Sequence, residues 1–382
     1  MIRILVGGDT CPVGRSQHWF QMGDAAAVFT DLLEEFKRAD LRIVNLECPL
    51  VGSPSPIRKV GPALAAPPEC IRGIRDAGID VVGLANNHIL DHGPQGLAAT
   101  LSVCRRHGVA TVGAGANLGE AGRLLIHRAG GIRVGIVAAA EHEFSVATET
   151  SAGANALDLI RLLGSLRAAR ESCEVLVVLL HAGNEFHPYP SPRLQKLCRF
   201  LVAEGAGAVV CQHSHRPGCV ESHAGGHIIY GQGNLVFDRH PYPQEFWYEG
   251  FLAVLEIEAG ASLGLRVVPY RQFDGAAATR RLRGAGLESF LAELGERSRR
   301  VVDEEFVERA WRRFCRENRA EYLAYLSGHS QWTRYLHQWL PFLRRPYSLR
   351  RKLLVRSVIQ CESHREVLET VLSDDDAREV QP

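Results

Sequence analysis

Short apolar runs rich in Val, Ile and Leu alternate with amphipathic segments along the chain up to about residue 270. This alternation constrains the fold most, because a chain that alternates buried strands with helices forms an α/β domain. Strands are predicted at Ile2–Val6, Arg42–Leu46, Val81–Ala85, Val134–Ala138, Val175–Leu180, Ala208–Cys211 and Ile228–Tyr230. Helices are predicted between them, at Asp24–Arg38, Pro68–Ala77, Gln95–His107, Leu157–Arg170 and Ser191–Glu204. Two further runs, Phe251–Ile257 and Leu265–Tyr270, alternate apolar and polar residues, which is typical of antiparallel strands with one solvated face.

The composition changes after residue 275, which indicates a second, helical region. Its predicted helices and bulky apolar residues are Leu287–Glu296, Val301–Glu317, Ala320–Leu326, Trp311, Trp332 and Trp339. Pro341 and Pro346 interrupt this region, and the basic stretch Arg344–Arg356 favours a solvated helix face over an anion site. The predicted organisation is therefore a first domain at residues 1–275 and a helical domain at residues 276–382.

Charge and hydropathy exclude two classes of partner. The chain has 44 basic and 43 acidic residues, so it lacks the basic surface that binding to a nucleic-acid backbone requires. No apolar run reaches the length of a membrane span, and the N-terminus has neither a charged leader nor an apolar stretch of signal length. The ten cysteines show no CxxC or framework spacing. We expect a cytoplasmic protein with reduced thiols and no membrane or nucleic-acid partner, and its oligomeric state stays open.

Five segments place a metal ligand directly after a predicted strand. They are Gly8-Asp9-Thr10-Cys11, Asn45-Leu46-Glu47, Ala85-Asn86-Asn87-His88, His181-Ala182-Gly183 and Gln212-His213-Ser214-His215. Because ligands bind outside the carboxyl ends of strands in α/β sheets, these segments can converge on one pocket. Their carboxylate, amide and imidazole groups suit Zn²⁺, Mn²⁺ or Fe²⁺ better than Ca²⁺ or Mg²⁺, and we expect one or two divalent ions.

Each segment alone also has an ordinary structural interpretation. An Asp after a strand is usually a helix N-cap, a single His is usually a hydrogen-bonded polar group, and Asn-Asn is usually a turn. The segments together favour a metal cluster, built from Asp9, Glu47, Asn87, His181, His213 and His215. Asp91 follows His88 by three residues and can orient its ring as an outer carboxylate. The alternative is that His88 caps a turn and Asp91 begins the next helix.

Other catalytic or nucleotide-binding motifs are not supported by the sequence. The stretch 113–117 is Gly-rich but lacks both the dinucleotide fingerprint and the phosphate-loop Lys, so a turn is favoured. The chain has no Gly-x-Ser-x-Gly elbow of the kind that carries a nucleophilic serine.

Six stretches resemble the capsule-biosynthesis CapA family, also called the poly-gamma-glutamate biosynthesis family. They are Gly8-Asp9, Asn45-Leu46-Glu47, Leu84 to Gly93 (LANNHILDHG), Leu180 to Phe186 (LHAGNEF), His213-Ser214-His215 and Ile229 to Asp238 (IYGQGNLVFD). These stretches stand in the family's order over roughly residues 1–270. The resemblance implies a four-layer α/β/β/α sandwich of the calcineurin-like metallophosphatase type, with a metal centre at the strand ends. The helical region lies outside the resemblance.

The resemblance also implies roles for individual residues. Glu47 would bridge two ions, with Asp9 and His215 on one of them and Asn87, His181 and His213 on the other. His88 would act as an acid/base beside the ions. Cys11 stands where related phosphatases often carry a histidine ligand, and Ala182 and Gln212 also depart from the usual residues. The candidate catalytic residues are therefore His88, Asp91, Asp9 and Cys11.

A metal centre of this kind can activate water for hydrolysis, or polarise a carbonyl so that a neighbouring proton is removed. Capsule members of the family are typically anchored in a membrane, whereas soluble relatives found with lasso-peptide biosynthesis are thought to epimerise a peptide. The chain resembles the soluble relatives. We therefore expect a metal-dependent epimerase that inverts a Cα, at the C-terminal residue of a lasso-type precursor peptide, which the helical region helps to grip. The alternatives are a hydrolase of phosphoesters or peptide amides, and a capsule poly-gamma-glutamate biosynthesis protein without catalytic activity.

Overall fold

A computed structural model describes residues 1–59, 61–239, 241–258, 262–273 and 275–319, together with the single positions 322, 355, 356 and 359. The strands are β1 Ile2–Cys11, β2 Leu41–Leu46, β3 Val81–Gly83, β4 Ala110–Val112, β5 Ala114–Gly115, β6 Leu125–Ala129, β7 Ile132–Ala140, β8 Gly153–Ala154, β9 Val175–His181, β10 Ala208–Gln212, β11 Val220–His223, β12 Gly226–Tyr230, β13 Asn234–Phe237, β14 Glu249–Ile257, β15 Gly264–Gln272 and β16 Thr279–Arg281. The α-helices are α1 Gln17–Met22, α2 Ala25–Phe29, α3 Leu33–Arg38, α4 Ile71–Asp76, α5 Gly93–Arg106, α6 Leu118–Ala121, α7 Leu159–Ser172, α8 Pro192–Ala203, α9 Gly284–Val301 and α10 Glu304–Glu317.

Two large sheets form the centre of the molecule. The first has eight strands in the order β16-β15-β14-β1-β2-β3-β4, with β13 paired to the carboxyl-terminal end of β1. The second has six strands in the order β11-β12-β10-β9-β7-β6. The strands β1 to β4 are parallel to one another, as are β7, β9, β10 and β12, and antiparallel strands lie at the sheet margins. The carboxyl ends of the parallel strands therefore share one edge of each sheet.

The two faces of the second sheet pack against different layers. Val177 and Leu179 of β9 join the core that also contains the first sheet, whereas Val178 and Leu180 pack under α7 and α8. This separation follows from the period of two along a strand. On the other side, helices α1 to α4 contribute Phe20 and other buried side chains against the first sheet. The predicted four-layer α/β/β/α arrangement is confirmed.

The predicted helix Asp24–Arg38 is wrong, because the segment is broken into α2, a short 3-10 turn and α3. Asp24 caps α2 by accepting a hydrogen bond from the backbone N–H of Ala27. The chain then turns at Thr30, whose φ is 43° and whose hydroxyl donates to the carbonyl of Thr279 over 2.8 Å. A contact with a strand 249 residues away overrides the local helical pattern. The sequence predictions also missed several short strands, among them β4, β6, β11 and β13.

The chain divides into two compact units, Met1–Trp311 and Arg312–Pro382. The predicted boundary after residue 275 does not coincide with this division, because α9 contributes Phe290 and Leu294 to the core of the first unit. A separate role in recognition for residues 276–382 stays a prediction. The predicted helix at Ala320–Leu326, apart from Tyr322, and nearly all of the basic stretch 344–356 lie outside the described residues, as do Trp332 and Trp339. In the part of the chain that the structure describes, no helix is both long and apolar enough to cross a membrane.

Candidate metal centre

The six residues of the predicted cluster lie at the carboxyl edges of the two sheets. Asp9 is on β1 and pairs in register with Asn45 of β2, and Glu47 directly follows the end of β2. His181 ends β9, and its register partner on β10 is Gln212, which directly precedes His213. The turn after β3 supplies Asn87. Strand pairing therefore brings together side chains that are separated by up to about 200 residues.

Four groups converge on one position beside the second sheet. The Nε2 atom of His181 lies 3.1 Å from Oδ1 of Asn87, 3.1 Å from Nδ1 of His213 and 3.6 Å from Oε1 of Glu47. The ligand atoms of Glu47, His181 and His213 all lie within 4.8 Å of one another. A carboxylate, an amide oxygen and two imidazole nitrogens at these separations form a donor set that fits a divalent transition metal.

A second position shares Glu47 with the first. The Nε2 atom of His215 lies 3.7 Å from Oε1 of Glu47, and Nδ1 of the same ring lies 3.5 Å from Oδ2 of Asp9. The ligand atoms of Asp9, Glu47 and His215 again lie within 4.8 Å of one another. Nδ1 of His215 is also 2.9 Å from Oδ1 of Asn234, an arrangement that orients Nε2 toward Glu47 when Nδ1 carries the proton. The geometry therefore provides two adjacent positions joined by one carboxylate.

Glu47 supplies the test of whether these residues fit metal ions. Its side chain is fully buried, and neither carboxylate oxygen has a hydrogen-bond partner among the described residues. Burial, and then the nearby charges of Asp9, Glu185 and Glu143, hold the pKa of Glu47 well above its usual range. A buried carboxylate without donors is costly, and a bound cation would supply the missing positive charge. The donor set therefore fits divalent ions.

Burial shifts the pKa values of three neighbouring ligands. Burial raises the pKa of Asp9 to about 6, against hydrogen bonds from Asn45 and from the backbone of His213 that lower it. Burial, and then the charges of His213 and His215, hold the pKa of His181 well below its usual range. Burial likewise lowers the pKa of His215 to about 3. The imidazoles of His181 and His215 are thus kept neutral, which is the form that binds a metal.

The backbone of two ligands is strained. His213 and His215 have φ values of 95° and 52°, in the left-handed region that favours glycine. Such conformations cost about 1–3 kcal/mol each and persist where the surroundings impose them. In these conformations the rings of His213 and His215 both face the shared Glu47.

His88 stands beside the metal positions in a cluster of buried charged groups. Its Nδ1 atom is 2.7 Å from Oδ2 of Asp91, as predicted from the three-residue spacing. Residues 86–92 form a turn, and Asp91 accepts a further hydrogen bond from the backbone N–H of Leu64 over 2.6 Å. The ammonium of Lys59 forms an ion pair with Asp91 and lies 3.2 Å from Nδ1 of His88. The side chains of Lys59 and Asp91 are 3% and 0% exposed.

Cys11 does not have the surroundings of a catalytic thiol, and this corrects its prediction as a catalytic residue. The residue is fully buried, and its register partner on β13 is Phe237. Burial, and then the neighbouring Cys48 thiol, hold the pKa of Cys11 well above its usual range. A reactive cysteine needs a depressed pKa and access to solvent. We therefore interpret Cys11 as a packing residue of the core.

The sequence predictions missed four polar residues of this centre. Asn45 donates to Oδ1 of Asp9 over 2.8 Å, and Asn234 contacts His215. Both lie inside the stretches that carried the family resemblance, so a signal for them was present. Lys59 and Glu143 lie on irregular segments outside any motif, and only the tertiary structure brings them to the centre.

Aromatic residues cover the His215 side of the centre. The ring of Trp247 lies 5.1 Å from that of His215 and stacks on Tyr242 at 4.1 Å. The guanidinium of Arg216 lies 4.6 Å from the ring of Phe246. Such a surface offers apolar area and π faces beside the metal positions.

Two solved structures are similar to this chain at low sequence identity. A hypothetical protein from Thermus thermophilus is 17% identical with a TM-score of 0.45, and the alignment covers 71% of this chain and 99% of that chain. A 5'-nucleotidase precursor from the same organism is 12% identical with a TM-score of 0.41, covering 84% of this chain and 59% of that chain.

Curated relatives are named for the synthesis of capsule, PGA or polyglutamine. Capsule biosynthesis protein CapA of Bacillus anthracis is 29% identical over 182 residues, and PGA biosynthesis protein CapA of Bacillus subtilis is 28% identical over 175 residues. These alignments cover 46% and 45% of this chain and only 44% and 46% of those proteins. A "Probable polyglutamine synthesis accessory protein" of Mycobacterium tuberculosis is 27% identical over 270 residues, which is 65% of this chain and 69% of that protein. Residues 3–239 match the family described as bacterial capsule synthesis protein PGA_cap. Since this match extends over more than half of its length, the chain belongs to the PGA_cap family.

Proposed function

We propose that this chain is a metal-dependent hydrolase that cleaves an amide bond in a peptide-type substrate. The observation that carries the proposal is the buried carboxylate of Glu47, which has no hydrogen-bond partner among the described residues and belongs to both ligand groups. Divalent ions bound there would supply Lewis-acid activation of the reacting groups. Asp9 and His215 would hold one ion, and Asn87, His181 and His213 the other.

His88 is the residue that we propose to transfer the proton. It follows Asn87 directly, and its Nδ1 atom is fixed by Asp91, so Nε2 is the ring nitrogen left to act on a substrate. In amide hydrolysis a general acid must protonate the leaving nitrogen. The ion pair between Asp91 and Lys59 keeps the orienting carboxylate in place, which limits the rotation of the ring.

Two considerations support a peptide-type substrate over a phosphoester. The relatives are named for capsule, PGA or polyglutamine synthesis, and polyglutamine is a chain of amide-linked residues. The carboxylates of Glu143 and Glu185 also lie near enough to Glu47 to raise its pKa, after burial and Asp9. These negative charges disfavour a dianionic phosphate as the group that is cleaved, whereas a scissile amide is neutral and is not repelled.

Epimerisation of a precursor peptide is the second candidate, and it uses the same ions and the same His88. It is favoured by one observation, the preassembled contact between His88 and Asp91, which would serve proton removal at a Cα as well as protonation of a leaving group. Cys11 counts against this candidate. Its thiol is buried and neutral, so it does not supply a second proton-transfer group for epimerisation.

The experiment strips the protein with a chelator and reloads it separately with Zn²⁺, Mn²⁺ or Fe²⁺ in D₂O. Poly-gamma-glutamate, a synthetic peptide and an aryl phosphate are then followed by mass spectrometry and chiral analysis. We expect metal-dependent fragments from a peptide-type substrate. Deuterium at a Cα without cleavage would instead establish the epimerase, and turnover of the aryl phosphate alone would overturn the proposed substrate class.

Variants connect the activity to the centre. His181→Ala and His213→Ala should abolish metal-dependent turnover and reduce the metal content. His142→Ala is the matched control, because His142 is exposed and lies on the segment that follows β7. Normal metal content and turnover in both ligand variants would show that the cluster is assigned wrongly.

A further inference from the structure

We infer that Glu143 is a positioning residue that holds two ligands of one metal ion, Asn87 and His213, from outside the coordination sphere. The inference rests on the metal centre of the proposed function, but it concerns a residue outside every motif of the sequence. It can be tested by metal binding alone, without a substrate.

The contact with Asn87 fixes which end of the amide faces the metal position. Nδ2 of Asn87 donates to Oε2 of Glu143 over 3.3 Å, while Oδ1 faces Nε2 of His181 at 3.1 Å. The donor nitrogen and the acceptor oxygen of a side-chain amide are the two arms of one planar group. An acceptor on the Nδ2 side therefore holds Oδ1, the only atom that can bind a cation, toward the ion.

Glu143 also lies close to His213, and there it orients an imidazole ring rather than an amide. Nδ1 of His213 faces Nε2 of His181 at 3.1 Å, whereas Nε2 of His213 faces Oε1 of Glu143 at 3.9 Å. When Nδ1 binds the ion, Nε2 carries a proton and points toward the carboxylate. Histidine ligands generally direct their second N–H to a carboxylate, carbonyl or water, which fixes the ring and strengthens the ligand.

The segment that carries Glu143 is anchored to the same turn as Asn87. Glu143 lies between Ala140, the register partner of His181, and Ser145. The hydroxyl of Ser145 is buried and donates to the carbonyl of Asn86 over 2.7 Å. Although the side chain of Glu143 is 35% exposed, its backbone is thus tied down on both sides.

Glu143 is placed as an outer carboxylate rather than as a further ligand. Among the described residues, the group whose ligand atoms all lie within 4.8 Å of one another on this side is Glu47, His181 and His213. Glu143 instead faces the donor nitrogens of the ligands, which point away from the ion. Its charge also adds to those of Asp9 and Glu47 in balancing two divalent ions.

The test measures binding of Mn²⁺ or Zn²⁺ alone to the chelator-treated full-length chain by calorimetry, with circular dichroism to check folding. Glu143→Ala should weaken binding at one position by about 10- to 100-fold, the usual effect of losing an outer-sphere partner. Glu143→Gln should lose less, because it keeps an acceptor for Nδ2 of Asn87. Glu149→Gln is the matched control, since Glu149 lies on the same segment but pairs with Arg161 at the surface.

Each other outcome overturns the inference in a recognisable way. Wild-type affinity in folded Glu143→Ala and Glu143→Gln with a reduced kcat would make Glu143 a substrate-facing residue. Wild-type affinity and wild-type kcat would make it a surface carboxylate. If Glu143→Ala fails to fold, Glu143→Gln decides. Absence of metal binding by the wild-type chain would refute the proposed function itself and this inference with it.

Discussion

Asp91 and His88 share a hydrogen bond, yet Asp91 contributes to stability and His88 to turnover. Asp91 is fully buried and contacts Lys59 and the backbone N–H of Leu64 as well as His88. Asp91→Asn would leave the ammonium of Lys59 buried without its anionic partner, which costs about 3–5 kcal/mol of unfolding free energy. His88→Asn should instead spare stability and lower turnover by a factor of about 10² to 10⁴ with metals bound. Urea unfolding beside kinetics tests both, and equal stability of the two variants would contradict this division of roles.

His187 makes stability depend on pH independently of the metal ligands. Burial, and then the charge of Arg216, lower its pKa from 6.5 to about 4. Above pH 6.5 the ring is neutral in both the folded and the unfolded state, so it contributes nothing there. As the pH falls toward about 4, the unfolded chain binds the proton far more readily than the folded chain, and the folded state loses about 3 kcal/mol of stability.

The measurement compares unfolding of the chelator-treated wild type and His187→Gln at about pH 7.5 and about pH 5. The variant should lose less stability than the wild type on acidification. An identical loss in both proteins would show that His187 does not resist protonation in the folded state.

The residues that could be predicted are those whose position follows from strand periodicity. Asp9, His181 and His213 each end or follow an apolar run, and the parallel sheets bring such ends together. Lys59 and Glu143 could not be found in this way, because they lie on loops whose course depends on contacts with Asp91 and Asn87. Residue type also does not reveal burial, which is why Cys11 was assigned wrongly.

The strand β1 approaches a neighbouring backbone closely at Gly8. A Cβ atom at Gly8 would lie 2.1 Å from the carbonyl oxygen of Gly233, a backbone atom that has no rotamer to change. Gly233 directly precedes Asn234, the partner of His215. Gly8→Ala should therefore lower stability by about 1–3 kcal/mol and weaken metal binding, because β13 must move away from β1.

Gly164 on α7 provides the matched control for this substitution. A Cβ atom there would meet no atom of the described residues within 4 Å, and the residue lies inside a helix. Gly164→Ala should raise stability by about 0.5–1 kcal/mol, because Ala loses less backbone entropy than Gly in a helix. Thermal melting and metal titration of the two variants test the pair, and a Gly8→Ala protein as stable as the wild type would refute the close packing of β1 on β13.

At the level of elements, long periodic segments were easier to predict than short ones. The strands β7, β9 and β14 are fully or nearly fully buried along much of their length and have the apolar composition that predicts a strand. The strand β4 has three residues and β8 has two, which is too short for any period to show. The fold class was therefore predictable from the long elements alone, whereas the complete strand order was not.

The first compact unit extends beyond the change in composition that marked a domain boundary in the sequence. The ring of Phe290 on α9 lies 6.2 Å from that of Phe251 on β14, and Arg297 donates to the carbonyl of Gly218 over 2.8 Å. The hydroxyl of Ser298 also accepts a hydrogen bond from the backbone N–H of Val220 over 2.9 Å. The amphipathic pattern of α9 predicted a helix, but no pattern could show which core its apolar face completes.

A truncation after residue 275 should therefore fail to fold cooperatively, whereas a truncation after Trp311 should keep the fold and the metal centre. The shorter chain loses the buried side chains of Phe290, Leu294, Val301 and Val307. At about 1.5–3 kcal/mol for each side chain, the loss of about 6–12 kcal/mol is comparable to the whole stability of an ordinary domain, about 5–15 kcal/mol. Calorimetric unfolding and metal titration of both chains test this expectation. A cooperative, metal-binding chain that ends at residue 275 would show that α9 packs against the first unit without stabilising it. The domain boundary would then lie at residue 275, where the composition changes.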